Sequence, residues 1–274
     1  MKETKIIANE VFITGHFGEF LQGKIESDGP IVLVTVPNAK SMVTIKYSPG
    51  PFNIIQIGSK TYTKTVVARI LSALKLPIQG QFRITMAMPE ACGLGSSTAL
   101  RVGLLLSTNS KLTADFLARS CVANEGASDP IMYDSPEKLL WAPRSGKIIK
   151  TLPKLPALTC VGGLYGEPQR TDPTDSNFPI ISDLIKEWEV PDKTLSTLGE
   201  ICSESSARTL KLKGLSDDPT KTLTKQFGAV GFSIAHTGCV RNLIFPYKSV
   251  PPDIKKHLQK AGFKYIQKFS LGRG

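Results

Sequence analysis

Pro89, Gly93, Leu94, Gly95, Ser96, Ser97 and Thr98 belong to one ten-residue stretch, PEACGLGSST, with an apolar strand-like run before it and a helix-favouring run after it. Gly93 and Gly95 lack a Cβ, so the backbone there can take positive φ and approach a ligand closely. The first turn of the following helix presents unpaired N–H groups and the positive end of its dipole. That combination binds anions, phosphate most often. The three hydroxyls can bond phosphate oxygens or ligate a hard cation. A plain capped turn has the same composition. The loop is neither a Walker A sequence, since no Gly-Lys-Ser/Thr follows at the required spacing, nor a dinucleotide fingerprint, since the third glycine is missing.

Three other stretches carry polar groups in similar settings. His16, Gly18 and Glu19 lie in a segment with three glycines in nine residues, GHFGEFLQG, which reads equally as a bulged turn or hairpin. Glu125 and Asp129 are four residues apart, on one side of a helical turn or in a tight loop. Read alone, they are explained as well by a solvated helix end and an Asp-Pro turn. His236, Thr237 and Gly238 form a turn between two apolar runs, where Thr-Gly alone suits a hairpin and the histidine a structural role. Apart from these three, Arg170 and Asp172 sit in a loop rich in proline and aspartate. That loop is either a surface connection or a lid in which Arg170 grips a substrate carboxylate.

The elements that must position these groups follow from periodicity. Strands are expected over 4–14, over 31–37 with Pro37 as its stop, and over 41–47, 82–88 and 158–164. A strand–turn–strand unit is expected over 228–245. Helices are expected over 64–76, 98–106 and 113–124, the last capped by Thr113, and over 180–189, 194–211 and 219–227. Prolines 143, 153 and 156 mark a domain junction near residue 155, giving units 1–155 and 156–274.

Taken in order, the four polar stretches resemble the GHMP kinases, the family of galactokinase, homoserine kinase, mevalonate kinase and the L-threonine kinases of cobalamin biosynthesis. PEACGLGSS is similar to the second motif, which wraps the ATP phosphates. HFGEFLQG resembles the first motif of the threonine-kinase branch, CGELxQG, with Phe17 in place of cysteine. EGASDPIM resembles EPTDSxM of that branch, with one extra residue, Ser128, and Pro130 for serine. AHTGCV resembles its third motif, AHSGTV.

The resemblance implies an α+β chain with the two-domain GHMP kinase fold, an N-terminal ATP-binding unit like ribosomal protein S5 domain 2 and a ferredoxin-like C-terminal unit. It implies ATP and Mg²⁺ as cofactors, with Pro89, Gly93, Leu94, Gly95, Ser96, Ser97 and Thr98 on the nucleotide and Ser97 and Glu125 on the metal. Asp129 is then the catalytic residue. His16, Gly18, Glu19, Arg170, His236, Thr237 and Gly238 shape the substrate pocket. The acceptor is a small-molecule alcohol, first among them L-threonine. Another alcohol within the family, or a non-catalytic nucleotide or metabolite sensor, is the alternative.

The totals agree with an enzyme of this kind. The 274 residues, 41% hydrophobic and 21% charged, are enough for one large or two modest globular units. No apolar run has the length of a membrane span, and the first ten residues lack a signal-peptide core, so no membrane partner is expected. Five widely spaced cysteines without a CxxC pair suggest neither zinc nor a disulfide framework, and the expected compartment is the cytoplasm. The net charge of +11 is scattered, without the aromatic-plus-basic pattern of RNA binding, so nucleic acid is not an expected partner. The sequence leaves the oligomeric state open, a homodimer included.

Overall fold

A computed structural model describes residues 4–7, 10–58, 61–236 and 238–272. Its first half is a seven-stranded sheet. Strands β1 (Thr4–Ile7), β2 (Glu10–Lys24) and β3 (Ile31–Ser48) form an antiparallel meander, and β4 (Asn53–Ile57) reaches β5 (Gln81–Met86) through helix α1 (Lys64–Ala73). The order is β1-β2-β3-β5-β4, with β4 parallel to β5. Helices α2 (Ser96–Thr108) and α3 (Ala114–Glu125) follow, then a 3₁₀ turn (Pro136–Lys138) and the hairpin β6 (Leu139–Ala142) and β7 (Lys147–Thr151), joined to the sheet where Leu33 pairs with Trp141.

The second half runs β8 (Leu158–Leu164), helices α4 (Ser182–Glu189), α5 (Leu195–Leu212) and α6 (Thr220–Gln226), β9 (Gly231–Ile234), β10 (Val240–Pro246), α7 (Ile254–Lys260) and β11 (Lys264–Leu271). Its four strands are ordered β11-β8-β10-β9 and are all antiparallel. That is the ferredoxin-like order, with the outer strands reached by helical connections. The mixed α+β fold expected from the sequence is therefore present.

Thr113 caps α3 as expected, its hydroxyl accepting from the Phe116 N–H at 3.3 Å. Three expectations are corrected. Pro37 does not stop a strand: β3 runs through it and through residues 38–40. Proline is tolerated there because it faces His16, next to the place where β2 bulges and the ladder is already interrupted. The glycine-rich stretch 15–23 is no hairpin. It stays in β2 and absorbs its irregularity as register shifts after Thr14, His16 and Glu19. Helix α1 ends earlier than expected, because Lys75 takes φ 57°.

The main core is continuous across both sheets. Phe17, which stands where the family pattern has cysteine, is fully buried and meets Phe269 edge-on at 5.6 Å. Trp188, the end of the apolar stripe on α4, packs on Phe20 at 6.1 Å. Polar bonds tie β2 to the second half at the same level. Gln22 Nε2 donates to the Ile234 carbonyl (2.7 Å), and Asn242 Nδ2 donates to the Phe17 carbonyl (2.7 Å). The bulged segment carrying His16 and Glu19 is thus clamped between the two sheets, with its side chains fixed by packing on both sides.

Candidate active site

Gly93 and Gly95 take φ of 79° and 72°, the left-handed region that admits glycine readily. Gly95 ends the loop and starts α2 with no side chain capping the helix, so the N–H groups of Ser96, Ser97 and Thr98 face outward from the turn. The loop is held on both flanks. The His16 N–H donates to the Leu94 carbonyl (3.1 Å) and the Gly18 N–H to the Gly93 carbonyl (3.2 Å). On the other flank a Cβ on Gly238 would lie 2.2 Å from the Cys92 carbonyl oxygen, so only glycine lets that turn lie against the loop. The glycine loop therefore meets the stretches around His16 and Gly238 here. Thr237 lies outside the described residues.

Behind the loop is a charged row in which His16 and Glu19 are buried and Asp129 is partly exposed. A Cβ on Gly95 would lie 2.6 Å from His16 Cδ2 and 3.3 Å from Asp129 Oδ2, which shows how closely both side chains approach the loop. His16 Nε2 is 3.5 Å from Asp129 Oδ2, and His16 Nδ1 is 3.8 Å from Glu19 Oε1. Burial opposes a charged imidazole, but Asp129 and then Glu19 outweigh it and raise His16 from 6.5 to about 9. Burial pushes Glu19 up from 4.5 to about 7, with His16 pulling the other way. For Asp129 burial also works upward, but His16 and a hydrogen bond from Thr98 Oγ1 (3.0 Å) win and hold its carboxyl below the usual range. Asp129 is ionised and His16 is cationic at neutral pH. Glu19 Oε2 and His16 Nδ1 are buried with no hydrogen-bond partner among the described residues.

Asp129 reaches this row by a tight turn. Helix α3 ends at Glu125 on Gly126, which takes φ 80° and donates to the Val122 carbonyl (2.8 Å). The inserted Ser128 is buried and pinned. Its N–H donates to the Pro143 carbonyl (2.9 Å), and its own carbonyl accepts from Trp141 Nε1 (2.6 Å). The extra residue is thereby taken up by the β6 hairpin, and Asp129 points at the loop.

Glu125 lies on a different side of the same helix start. Ser97 Oγ donates to Glu125 Oε2. Arg101, which sequence reasoning missed, lies against both: its Nη1 is 2.7 Å from Ser97 Oγ and 3.0 Å from Glu125 Oε2. It also donates to the Ser97 carbonyl (3.1 Å) and, through Nε, to Asn124 Oδ1. Burial raises the Glu125 carboxyl, opposed first by Arg101 and then by Ser97. Ser97 and Glu125 carry oxygens of the kind Mg²⁺ takes. A divalent ion bound to both would share them with a guanidinium of like charge, so the pair as arranged does not fit the metal. Among the described residues no group of three or more His, Cys, Asp or Glu side chains is disposed to hold one either.

The remaining sequence candidates are placed unequally. The His236 N–H helps to lower the Glu19 carboxyl, but the imidazole turns away, stacked on Phe178 at 3.5 Å with Asp175 3.5 Å from Nε2. Burial and then Lys213, whose ammonium donates to the His236 carbonyl, lower that imidazole to about 4 and keep it neutral. Beside it a cavity of about 360 Å³ opens, lined by Lys213, Asp218, Gly238 and Arg241 among others. Gly18 takes φ 76° and passes Val240 and Ala235. Arg170 is exposed. It follows Gln169, whose N–H donates to the Ala91 carbonyl (2.8 Å), so its loop flanks the glycine loop and not the His16 row. Asp172 is occupied locally, accepting from the Thr174 N–H (2.8 Å) and hydroxyl (2.6 Å).

No known family's sequence profile matches the chain, and no curated protein matches it in sequence. Solved structures do match in fold. Mevalonate kinase of L. major, in complex with R-mevalonate, superposes with a TM-score of 0.65 at 15% identity, over 100% of this chain and 98% of that one. The Methanococcus jannaschii mevalonate kinase gives 0.61 at 15% identity over 97% and 98%. Homoserine kinase from Cytophaga hutchinsonii gives 0.54 at 14% identity over 97% and 96%. The chain therefore has the fold of the GHMP kinases along its whole length.

Proposed function

We propose that this chain transfers the γ-phosphate of ATP to the hydroxyl of a small-molecule alcohol, the side chain of L-threonine or a related amino acid being the first acceptor to test. The observation that carries this reading is the approach of an anionic, partly exposed Asp129 to the Gly95 turn. A phosphate on the N–H groups of α2 and a hydroxyl on Asp129 would be neighbours. On this reading the chain divides near residue 155, with the nucleotide held by the first part and the acceptor pocket closed by the second.

Phosphoryl transfer asks mainly for alignment and charge neutralisation. Gly93, Gly95, Ser96, Ser97 and Thr98 would hold the β- and γ-phosphates by backbone N–H groups and hydroxyls. Asp129 Oδ2 is engaged by Thr98 and His16. Its Oδ1 is the oxygen left to accept from the acceptor hydroxyl. A carboxylate held below its usual pKa is a weak base, so Asp129 orients the hydroxyl first and takes its proton as the new O–P bond forms. The bond from the γ-phosphorus to the bridging oxygen breaks, and ADP leaves with the electron pair. The His16 cation lies behind, where it balances Asp129 and the phosphates. Glu19 Oε2, buried and unpartnered, suits a substrate ammonium, which favours an amino-alcohol over a sugar.

The test is ATP consumption measured over a panel of amino-acid, sugar and isoprenoid alcohols. Stimulation by an amino-alcohol, lost in Glu19→Gln, supports the reading. Nucleotide binding with no turnover on any acceptor supports the alternative, a nucleotide-binding sensor, which the arginine at the expected metal position favours.

A further inference from the structure

We propose that Arg101 is the resident cation of this site, its guanidinium standing between Ser97 and Glu125 where a divalent ion would otherwise bind, so that nucleotide phosphates are held without a metal. The proposal rests on the reading of the Gly93–Thr98 loop as a phosphate loop. Arg101 lies one helical turn beyond Ser97, and side chains on a helix lean toward its N-terminus, so the guanidinium falls over the first turn of α2. There its Nε and Nη1 are held in place. Ser97 supplies its carbonyl and hydroxyl, Glu125 its carboxylate and Asn124 its amide oxygen. The arginine side chain is 12% exposed, so this is a fixed part of the wall and not a surface charge that happens to reach inward.

The chemistry of the two cations separates the outcomes. Mg²⁺ asks for six oxygens in an octahedron, several of them water or phosphate. A guanidinium is planar, permanently charged, and presents donors in a fork that matches carboxylate and phosphate oxygens. With Glu125 and Ser97 on one edge, the rest of the guanidinium lies alongside the first turn of α2, where the phosphates would sit. An ordinary ion pair that merely ties α2 to α3 would affect stability alone. A resident cation must also decide what metals the site accepts.

Two measurements test this, one of them without nucleotide. Mn²⁺ binding is followed by electron paramagnetic resonance in the wild type, Arg101→Gln, Arg101→Lys, Glu125→Gln and the double variant Arg101→Gln with Glu125→Gln. The wild type and Arg101→Lys are expected to leave Mn²⁺ free, Arg101→Gln to gain a bound ion, and the double variant to lose it. ATP affinity is measured by calorimetry in EDTA and in excess Mg²⁺. The wild type should differ by less than about threefold between the two, while Arg101→Gln should lose about tenfold or more in EDTA and regain it with Mg²⁺. Mn²⁺ bound by the wild type and released by Glu125→Gln would overturn the proposal, as would failure of a folded Arg101→Gln to gain Mn²⁺. Arg101→Lys guards against a variant that does not fold. If no form binds ATP, the phosphate-loop reading fails, and the Mn²⁺ result still decides the role of Arg101.

Discussion

Asp129→Asn removes one charge and almost no volume, and its effect can be followed at a neighbour. His16 Nε2 lies 3.5 Å from Asp129 Oδ2. At that distance and an effective dielectric of about 20, unit charges attract by roughly 5 kcal/mol, which corresponds to about 3 to 4 pH units. Glu19 remains 3.8 Å from the other ring nitrogen, but with its own pKa near 7 it is only partly charged at neutral pH. Burial, which always opposes the imidazolium, is then hardly balanced. The His16 midpoint should fall from about 9 to its ordinary 6.5 or below. The chain has three histidines, so the imidazole Cε1–H resonances can be assigned by single substitutions and titrated by NMR. In the same variant, turnover on the acceptor found by screening should drop by about 10²- to 10⁴-fold, with ATP affinity changed less than about threefold. A His16 midpoint still near 9 would refute the pairing, and unchanged turnover would refute the role given to Asp129.

Gly95→Ala should abolish nucleotide binding measured by calorimetry. An alanine at φ 72° is strained by about 1 to 2 kcal/mol, and its Cβ would push on the buried His16 ring at 2.6 Å. Trp141→Phe leaves the Ser128 carbonyl without its buried donor, so denaturant melts should show a loss of about 1 to 3 kcal/mol together with lower turnover, since Asp129 is the next residue. Stability against pH has a definite sign. His16, raised from 6.5 to about 9, contributes fully below pH 6.5 and loses its contribution as pH rises through 9. Glu19, raised from 4.5 to about 7, contributes below 4.5 and loses it as pH rises through 7. His236, lowered from 6.5 to about 4, acts oppositely and weakens the fold as pH falls from 6.5 to 4. Of these three groups only His16 is still losing its contribution between pH 7 and 9, so the urea midpoint of the wild type should fall across that limb.

The glycine loop, the Thr113 cap and the β8 strand are legible in the sequence because their signals are local: a backbone conformation, a hydroxyl immediately before a helix, an unbroken apolar run. What the sequence hides is non-local. Pro37 reads as a stop unless one knows that the opposite strand bulges at His16. Strand β7 is exposed throughout, so it has no alternation to announce it, and β11 is interrupted by lysines. Arg101 looks like a surface residue in a helix, because its partners Asn124 and Glu125 come from the end of another helix. Its only sequence signal is the four-residue spacing from Ser97, which is too common to single it out. Asp129 lies in a motif-like stretch, but the direction of its side chain depends on the inserted Ser128, whose carbonyl is held by Trp141 from a distant strand.

The start of α2 also explains why two carboxylates so near in sequence do different work. Ser97 and Thr98 are consecutive, and consecutive residues on a helix project about 100° apart. Ser97 therefore faces the end of α3 and meets Glu125 with Arg101, whereas Thr98 faces β2 and meets Asp129 with His16. One side of the turn holds a permanent cation beside a carboxylate whose pKa burial raises. The other holds a carboxylate kept ionised by a titratable imidazole. An anion placed on the N–H groups between them would have positive charge on both flanks, one fixed and one dependent on pH. Exchanging Ser97 and Thr98 keeps both hydroxyls but puts a methyl group against Arg101 and removes one beside Asp129. If the geometry of the turn and not the mere presence of hydroxyls organises the site, the exchange should weaken ATP binding and lower the His16 midpoint together. If hydroxyls alone suffice, both should stay at their wild-type values.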